Sequence, residues 1–335
     1  MTETARIIIT NPIHEKAISA LKSAGFSVDK KYNITQSELI ETIANYHILI
    51  GRTTTKISKE VLEAAKKLIC IGVHATGWDH IDIETANRLG ITLLGFPSDH
   101  KKIVSQRTEG AFVATAEHTI LLMLAAAGNF YNVVSSMKSG KWEKYSFDGI
   151  EIYGKTLGII GLGRIGSLVA DRALALGMKI LVYHPRLTAA QIKKFGAKKV
   201  SMDALCKQSD VITIHVPKTK ETTGLLGKKE FQKMKKGSIL INTARAAIVD
   251  HKSLKQSLKA RRLRCAAIDV YDNPPDGIDW DLVNLPNVIA TPHIAGVSQE
   301  SIERISLYVV TQIINFIKYD KQENAINHPK NPRKI

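Results

Sequence analysis

The chain has 335 residues, of which 44% are hydrophobic and 23% are charged. This length and composition are typical of about two globular domains and exclude collagen-like, disordered and disulfide-rich miniprotein classes. Lysine and arginine number 47 against 31 acidic residues, a net charge of +16 that any functional interpretation has to accommodate.

Short apolar runs also argue against secretion and membrane insertion. The first run, residues 7–9, is too short for a signal peptide, and the longest, residues 120–127, falls well below the roughly 20 residues of a spanning helix. The cysteines Cys70, Cys206 and Cys265 lie far apart and form no CxxC motif. We therefore expect a cytoplasmic protein with reduced thiols, no membrane association and no metal site.

Strands and helices are predicted to alternate along the first half of the chain. Apolar runs at residues 7–9, 47–50 and 68–72 predict strands, and amphipathic stretches at 15–25 and 37–44 predict helices. A single long helix with an apolar middle is expected over residues 105–136, at the hinge between two domains.

The alternation becomes more regular after residue 155. Predicted strands lie at 156–160, 179–183, 211–215, 238–242, 265–270 and 287–290, and predicted helices include 164–176, 251–260 and 299–317. Six strands connected by helices favour a complete doubly wound parallel sheet.

A glycine-rich turn between the first strand of this sheet and its helix predicts a dinucleotide site. Gly161, Gly163 and Gly166 have the GxGxxG spacing. The first glycine permits a tight turn, the second lets a pyrophosphate approach the backbone, and the third lets helix and strand pack closely.

The next predicted strand bears on cofactor choice. Where NAD-selective sites carry an acidic residue, this chain has His184, and no acidic residue lies between Asp171 and Asp203. Arg186 lies close by and could hold a 2′-phosphate through charge-assisted hydrogen bonds. NADP is therefore favoured over NAD; the alternative is that these basic residues form only a solvated surface.

Three polar residues follow three successive strands at equal spacing. Arg245, Asp269 and His293 are separated by 24 residues each, about one strand–helix unit. Equal spacing places all three at the carboxyl ends of the strands, where open α/β sheets bind ligands. Arginine can bind a carboxylate, and histidine can transfer a proton to an oxygen while hydride is transferred to carbon.

Four motifs in order resemble the D-isomer-specific 2-hydroxyacid dehydrogenases. They are GKTLGIIGLGRIG at 154–166, KKGSILINTAR at 235–245, AIDVY at 267–271 and TPHIAG at 291–296. The resemblance runs from about residue 49 to residue 329, and it implies an α/β fold with two Rossmann-like domains. A flavodoxin-like substrate domain is then expected at 1–110 plus 298–335 and an NAD(P)-binding domain at 111–297, with no appended regulatory domain.

The resemblance also implies residue roles. Arg245 is expected to bind the substrate carboxylate and carbonyl, His293 to act as acid and base, and Asp269 to contact the nicotinamide carboxamide. Substrate-binding positions are Arg52, Ala75, Thr76 and Gly77. The implied cofactor-binding positions are Gly161, Gly163, Arg164, Ile165, Gly166, His184, Pro185, Arg186, Val216, Pro217, Thr222, Thr243, Ala244, Asp269 and Gly296.

Two further features depart from the family pattern. Pro274 occupies the position of the glutamate that normally pairs with the catalytic histidine; Asp272 or Asp276 could replace it, or both could simply decorate a proline turn. About ten extra residues lie within 98–110, and this insertion could be a lid over the active site or a tolerated surface loop.

The leading hypothesis is hydride transfer between NAD(P)H and a small 2-oxo or 2-hydroxy acid such as hydroxypyruvate, glyoxylate or a phosphoglycerate-like acid. The alternative is an NAD(P)-binding regulatory protein or weakly active pseudoenzyme of the same fold. Nucleic-acid binding is disfavoured because the lysine pairs are scattered and no recognition motif is present. The resemblance implies a homodimer formed through the helix after Glu117.

Overall fold

The structure, a computed structural model, describes residues 4–96, 108–272, 274–322 and 324–334. The described residues fall into two units: those up to residue 96, residues 108–111 and those from residue 298 onward form the first, and those within 112–297 form the second. Each unit contains one parallel sheet.

Strands and helices alternate through both units. The first unit begins with β1 (Arg6–Ile9), α1 (Glu15–Ser23), β2 (Ser27–Lys30), α2 (Gln36–Thr42), a 3-10 turn (Ile43–Asn45), β3 (Ile48–Gly51), α3 (Lys59–Ala64), β4 (Cys70–Val73), α4 (Ile83–Arg88) and β5 (Thr92–Leu94). The second contains α5 (Phe112–Ala127), α6 (Phe130–Lys138), β6 (Thr156–Ile160), α7 (Arg164–Ala175), β7 (Lys179–Tyr183), α8 (Ala189–Lys193), β8 (Lys198–Lys199), α9 (Met202–Gln208), β9 (Val211–Ile214), α10 (Lys228–Lys233), β10 (Ser238–Asn242), a 3-10 turn (Ala246–Ile248), α11 (His251–Lys259), β11 (Leu263–Ile268), α12 (Trp280–Val283) and β12 (Val288–Ala290). The last helix, α13 (Gln299–Tyr319), belongs to the first unit.

Both sheets have a point at which the strand order reverses. In the first unit the order is β2-β1-β3-β4-β5, and in the second it is β12-β11-β10-β9-β6-β7-β8. The reversal lies between β1 and β3 in the first sheet and between β6 and β9 in the second. This strand order confirms the predicted doubly wound α/β class. Open α/β sheets bind ligands at the carboxyl ends of the strands near such a reversal point.

The cores form because helices cover both faces of the central strands. Every residue of β3, β4, β9 and β10 is buried. Such strands read as continuous apolar runs rather than as alternating patterns, which is why the sequence revealed them.

The strands missed from the sequence lie mainly at the sheet edges. β2 and β8 each end a sheet, and they read SVDK and KK, so no apolar run marks them. Edge strands pack on fewer neighbours and carry charges that discourage aggregation. β5, also an edge strand, has only three residues. The second sheet thus has seven strands rather than the expected six.

The single helix expected over residues 105–136 was wrong. In the described part of that span, α5 and α6 are separate helices that meet at 68°. The break falls at Gly128 and Asn129, and Asn129 has the left-handed backbone angle φ 52°. Glycine and asparagine adopt such conformations most readily, so the chain turns there.

The length and apolar character of the helices bear on whether any of them could cross a membrane. No single helix in the described ranges combines the length and apolar character needed to cross a bilayer, whereas α5 and α6 reach both only when taken together.

Candidate active site

The glycine-rich turn connects β6 to α7 at the reversal point of the second sheet. Gly161 has φ +92°, and a Cβ atom there would lie 2.6 Å from the carbonyl oxygen of His215. A Cβ atom on Gly166 would lie 2.2 Å from the carbonyl oxygen of Gly161. Both glycines are therefore required by close packing of the turn itself.

Gly163 differs from Gly161 and Gly166 because the space that a Cβ atom would occupy there is empty. No atom lies within 4 Å of the position that a Cβ atom would take. Gly163 is also the N-cap of α7, and no side chain caps the helix there. The first-turn N–H groups and the open space beside Gly163 therefore fit the pyrophosphate of a dinucleotide.

Residues after β9 complete the wall of this turn. The side chain of Val216 lies against Gly161, only 2.6 Å from its ideal Cβ position. The hydroxyl of Thr222 donates a hydrogen bond of 2.6 Å to the carbonyl oxygen of Pro217 and closes the following turn. Burial lowers the pKa of His215 to about 3, and its Nε2 lies 2.9 Å from the hydroxyl oxygen of Thr213.

His184 organises the turn that follows β7. Its Nδ1 accepts hydrogen bonds from the backbone N–H groups of Arg186 (3.2 Å) and Leu187 (3.1 Å), so this nitrogen carries no proton. The ring is buried, whereas Pro185 and Arg186 are exposed. The turn thus presents a basic side chain and no acidic side chain to solvent.

Arg245 lies in a turn that begins at the last residue of β10. The side chain of Asn242 accepts a hydrogen bond from Ala244 N–H and donates one to the carbonyl oxygen of Arg245, both at 3.0 Å. The hydroxyl oxygen of Thr243, which precedes Ala244, lies 3.0 Å from the hydroxyl oxygen of Thr119 on α5. Because Thr119 donates its own proton to the carbonyl oxygen of Thr115, Thr243 is the donor in this pair.

Asp269 is fully buried immediately after β11 and accepts three hydrogen bonds. The hydroxyl of Thr291 donates to Oδ1 at 2.6 Å, Ile294 N–H donates to Oδ1 at 2.9 Å, and Ala295 N–H donates to Oδ2 at 2.8 Å. All three donors belong to the segment that carries His293. Within the described residues, Asp269 thus holds the 291–295 segment.

His293 is exposed at the centre of this segment and has the left-handed angle φ +57°. A non-glycine residue in this region carries strain of about 1–3 kcal/mol and persists only where its surroundings impose the conformation. The bonds of Asp269 to residues on both sides of His293 supply that constraint. The imidazole is therefore presented to solvent from a held backbone.

His118 on α5 contacts the same segment and was not singled out from the sequence. Its Nε2 lies 3.1 Å from the hydroxyl oxygen of Thr291 and 3.8 Å from Oδ1 of Asp269. The available signal was a stripe of Thr115, His118 and Thr119 at i, i+3 and i+4 on a largely apolar helix.

The carboxylates considered as substitutes for the family's glutamate lie elsewhere. Asp272 and Asp276 are exposed, and neither forms a hydrogen bond or ion pair with the described residues. The 98–110 insertion lies outside the described residues as far as residue 107.

The second unit thus aligns its predicted site residues along one edge. The segments after β12, β11, β10, β9 and β6 follow each other in sheet order. The segment after β12 carries His293 and Gly296, the segment after β11 carries Asp269, and the segment after β10 carries Ala244 and Arg245. The segment after β9 carries Val216, and the segment after β6 carries the Gly161 turn with Arg164 and Ile165.

In the first unit, Arg52 follows β3 at the reversal point of the sheet. Its backbone N–H donates a hydrogen bond of 2.8 Å to the side-chain oxygen of Asn11, which follows β1. Burial lowers the pKa of the guanidinium, and no described residue forms an ion pair with it. Ala75, Thr76 and Gly77 are partly exposed at the neighbouring strand end, after β4.

His74 directly precedes the 75–77 segment, and its backbone N–H donates a hydrogen bond of 2.9 Å to the carbonyl oxygen of Gly51, next to Arg52. Burial, aided by the charge of Arg52, lowers the pKa of His74 to about 3. Its Nε2 lies 2.8 Å from the hydroxyl oxygen of Ser306 on α13. Arg52 is thus a partly buried cation close to a neutral histidine, an arrangement that favours an anionic ligand.

Sequence comparison finds a family model that covers most of the second unit. The model is described as D-isomer specific 2-hydroxyacid dehydrogenase, NAD binding domain, and it matches residues 120–295.

Curated relatives match almost the whole chain. It is 41% identical to D-3-phosphoglycerate dehydrogenase from Archaeoglobus fulgidus, over 97% of this chain and 59% of the relative. The corresponding enzyme from Methanocaldococcus jannaschii is 38% identical, over 98% of this chain and 60% of the relative. The chain therefore spans about three fifths of the length of these relatives.

A solved structure shares the fold over nearly all of this chain. A glyoxylate reductase from Paecilomyes thermophila superposes with a TM-score of 0.85 at 27% identity, covering 97% of this chain and 99% of that one.

Proposed function

Because the chain belongs to the D-isomer specific 2-hydroxyacid dehydrogenase family, we propose that it transfers a hydride between NAD(P)H and a small 2-oxo or D-2-hydroxy acid. One observation carries this proposal: Asp269 holds exposed His293 in a left-handed conformation on the sheet edge that also bears Arg245 and the glycine-rich turn. A proton donor, a carboxylate-binding cation and a dinucleotide cradle are the groups that such a reaction needs.

The proposed cofactor-binding residues belong to the second unit. The N–H groups of Arg164 and Ile165 at the start of α7, together with the open face of Gly163, hold the pyrophosphate. The dinucleotide, when bound, supplies or accepts the hydride. Arg186, which is exposed after β7, would contact the adenosine ribose and favour NADP, because a guanidinium can bind a 2′-phosphate.

The acid–base chemistry is assigned to two side chains. Arg245 binds the substrate carboxylate and polarises the adjacent carbonyl. His293 donates a proton to the carbonyl oxygen during reduction and accepts it from the hydroxyl during oxidation.

The first unit supplies the substrate-binding residues. Arg52 is charged, desolvated and without an ion-pair partner among the described residues, so it is suited to bind an acidic group of the substrate. The backbone of Ala75, Thr76 and Gly77, at the next strand end, is suited to contact a carboxylate. This arrangement favours a 2-oxo acid with a second anionic group, the substrate class of the phosphoglycerate dehydrogenases.

A homodimer is part of the proposal. Large apolar side chains are exposed along α5 and α6, namely Leu121 (58% exposed), Leu124 (43%), Phe130 (60%), Tyr131 (63%) and Met137 (53%). Large exposed apolar side chains on two successive helices are typical of a subunit interface. We assign it to a second copy of this chain, in the cytoplasm, where the three buried free thiols would remain reduced.

The test is consumption of NADH and NADPH with glyoxylate, hydroxypyruvate, pyruvate and phosphohydroxypyruvate. We expect turnover with at least one acid, loss of turnover in His293→Ala, and unchanged cofactor binding in that variant. Cofactor binding without turnover on any of them would instead favour the regulatory alternative, and full activity of His293→Ala would refute the acid–base role.

A further inference from the structure

Three side chains in hydrogen-bond contact connect helix α5 to the segment that carries His293. His118 Nε2 lies 3.1 Å from Thr291 Oγ1, which lies 2.6 Å from Asp269 Oδ1. Asp269 is fully buried, and the side chain of His118 is only 12% exposed. The contacts therefore lie largely out of water, where their geometry is held most firmly.

The donor and the acceptor in each of these contacts follow from the number of protons that each side chain can donate. Asp269 accepts three hydrogen bonds, so its carboxylate acts as the acceptor of the Thr291 proton. A threonine hydroxyl has one proton to donate and can accept with its lone pairs. Thr291 therefore accepts from His118, and the proton of the imidazole lies on Nε2.

Electrostatics are consistent with this tautomer. Burial lowers the pKa of His118, while the negative charge of Asp269 acts in the opposite direction. A neutral imidazole protonated at Nε2 satisfies Thr291 without placing a second full charge in the interior.

A second polar contact joins α5 to the neighbouring loop. Thr119, the next residue on the helix, accepts a hydrogen bond of 3.0 Å from Thr243, two residues before Arg245. Adjacent residues of one helix thus reach the loops that carry both proposed catalytic side chains. Helix α5 is a common support for the two loops.

We propose that His118 is a positioning residue: it donates to Thr291, aims the threonine hydroxyl at Asp269 and so keeps the 291–295 segment, with His293 in its left-handed conformation, in place for proton transfer. Its catalytic consequence rests on the proposed function, whereas its effect on the segment does not. His118 contacts neither substrate nor cofactor in this role.

Two pairs of variants separate hydrogen bonding from packing. His118→Leu removes the donor and His118→Gln restores an N–H group near the Nε2 position; Thr291→Val removes the hydroxyl and Thr291→Ser restores it. Glu117→Gln, which removes only an exposed ion pair with Arg172 on α7, is the control for effects on α5.

The first readout is amide hydrogen exchange at Ile294 and Ala295, the N–H groups bound to Asp269. We expect exchange to accelerate about tenfold in His118→Leu and Thr291→Val, and to stay near the wild-type rate in His118→Gln, Thr291→Ser and Glu117→Gln. Unchanged exchange in His118→Leu, or equal acceleration in His118→Gln, would overturn the proposal.

The second readout is the division between kcat and KM. In His118→Leu we expect kcat to fall about fivefold or more, while KM for the cofactor stays within about twofold of the wild-type value. In His118→Gln we expect kcat to recover. Equal losses in both His118 variants would overturn the positioning role. A wild-type protein without turnover would refute the proposed function, while the exchange rates would still decide whether His118 holds the segment.

Discussion

The carboxylate of Asp269 accepts a hydrogen bond of 2.6 Å from the hydroxyl of Thr291, across the ends of two adjacent strands. Together with the bonds from Ile294 and Ala295, this contact joins the end of β11 to the segment after β12. Asp269 thus holds the ends of these two strands together through both of its oxygens.

Replacing this carboxylate should therefore loosen the His293 segment. In Asp269→Asn, one oxygen becomes an NH2 group that faces a donor, so a buried hydrogen bond is lost and the pair repels. We expect a loss of roughly 1–3 kcal/mol in the free energy of unfolding and a fall in kcat. Urea denaturation and steady-state kinetics measure the two effects. Asp281→Asn, at a side chain that is 87% exposed, is the control, and equal stability of both variants would contradict the assignment.

Two glycines of the dinucleotide turn should respond differently to alanine. Gly166→Ala would place Cβ 2.2 Å from a backbone oxygen, so we expect destabilisation of about 1–3 kcal/mol. Gly163→Ala meets no atom within 4 Å, so the fold should tolerate it. It should nevertheless weaken NAD(P)H binding about tenfold or more, because the methyl group would occupy the pyrophosphate cradle. Thermal unfolding and fluorescence titration give the comparison, and unchanged affinity in Gly163→Ala would place the cofactor elsewhere.

Arg186 should contribute to binding of NADPH through the 2′-phosphate. Arg186→Ala should lower kcat/KM for NADPH about tenfold and leave that for NADH nearly unchanged, since only NADPH carries the 2′-phosphate. Lys252→Ala removes an exposed positive charge from α11 and serves as the control. A wild-type enzyme that prefers NADH, or parallel losses with both cofactors, would count against the proposal.

His215 should make the protein less stable in acid. Its pKa is about 3 in the folded protein, below the ordinary value of 6.5, because burial disfavours the charged ring. Below about pH 6.5 the unfolded chain binds a proton that the folded chain does not, so stability is lost as the pH falls towards 3. In His215→Gln the slope of unfolding free energy against pH should decrease by about 1.4 kcal/mol per pH unit between pH 6 and pH 4. Urea denaturation across this range tests it, and an unaltered slope would show that His215 does not contribute.

The apolar surface of α5 and α6 should mediate self-association. Leu121→Glu introduces a charge into that surface and should convert a dimer into monomers, as measured by light scattering coupled to size exclusion. Tyr319→Glu, on an exposed tyrosine of the first unit, should leave the mass unchanged. A wild-type monomer would remove the basis for this interface.

The sequence predicted those features that depend on local spacing. Continuous apolar runs marked the central strands, since parallel strands covered on both faces have no polar side. The GxGxxG turn and the equal spacing of Arg245, Asp269 and His293 were enough to place the candidate site on one sheet edge. The edge strands β2 and β8 escaped because their polar residues carry no apolar signal, and the break at Gly128 and Asn129 because α5 and α6 are both helical in composition.

What only the tertiary structure decided is which atoms meet at that edge. The contact of His118 with Thr291 joins positions 173 residues apart, and no local pattern encodes such a pairing. Likewise, the spacing placed Asp269 beside the other site residues, but only the structure shows that Thr291, Ile294 and Ala295 donate hydrogen bonds to it. Spacing determines the strand end that carries a side chain, whereas its hydrogen-bond partners depend on how helices pack across the sheet.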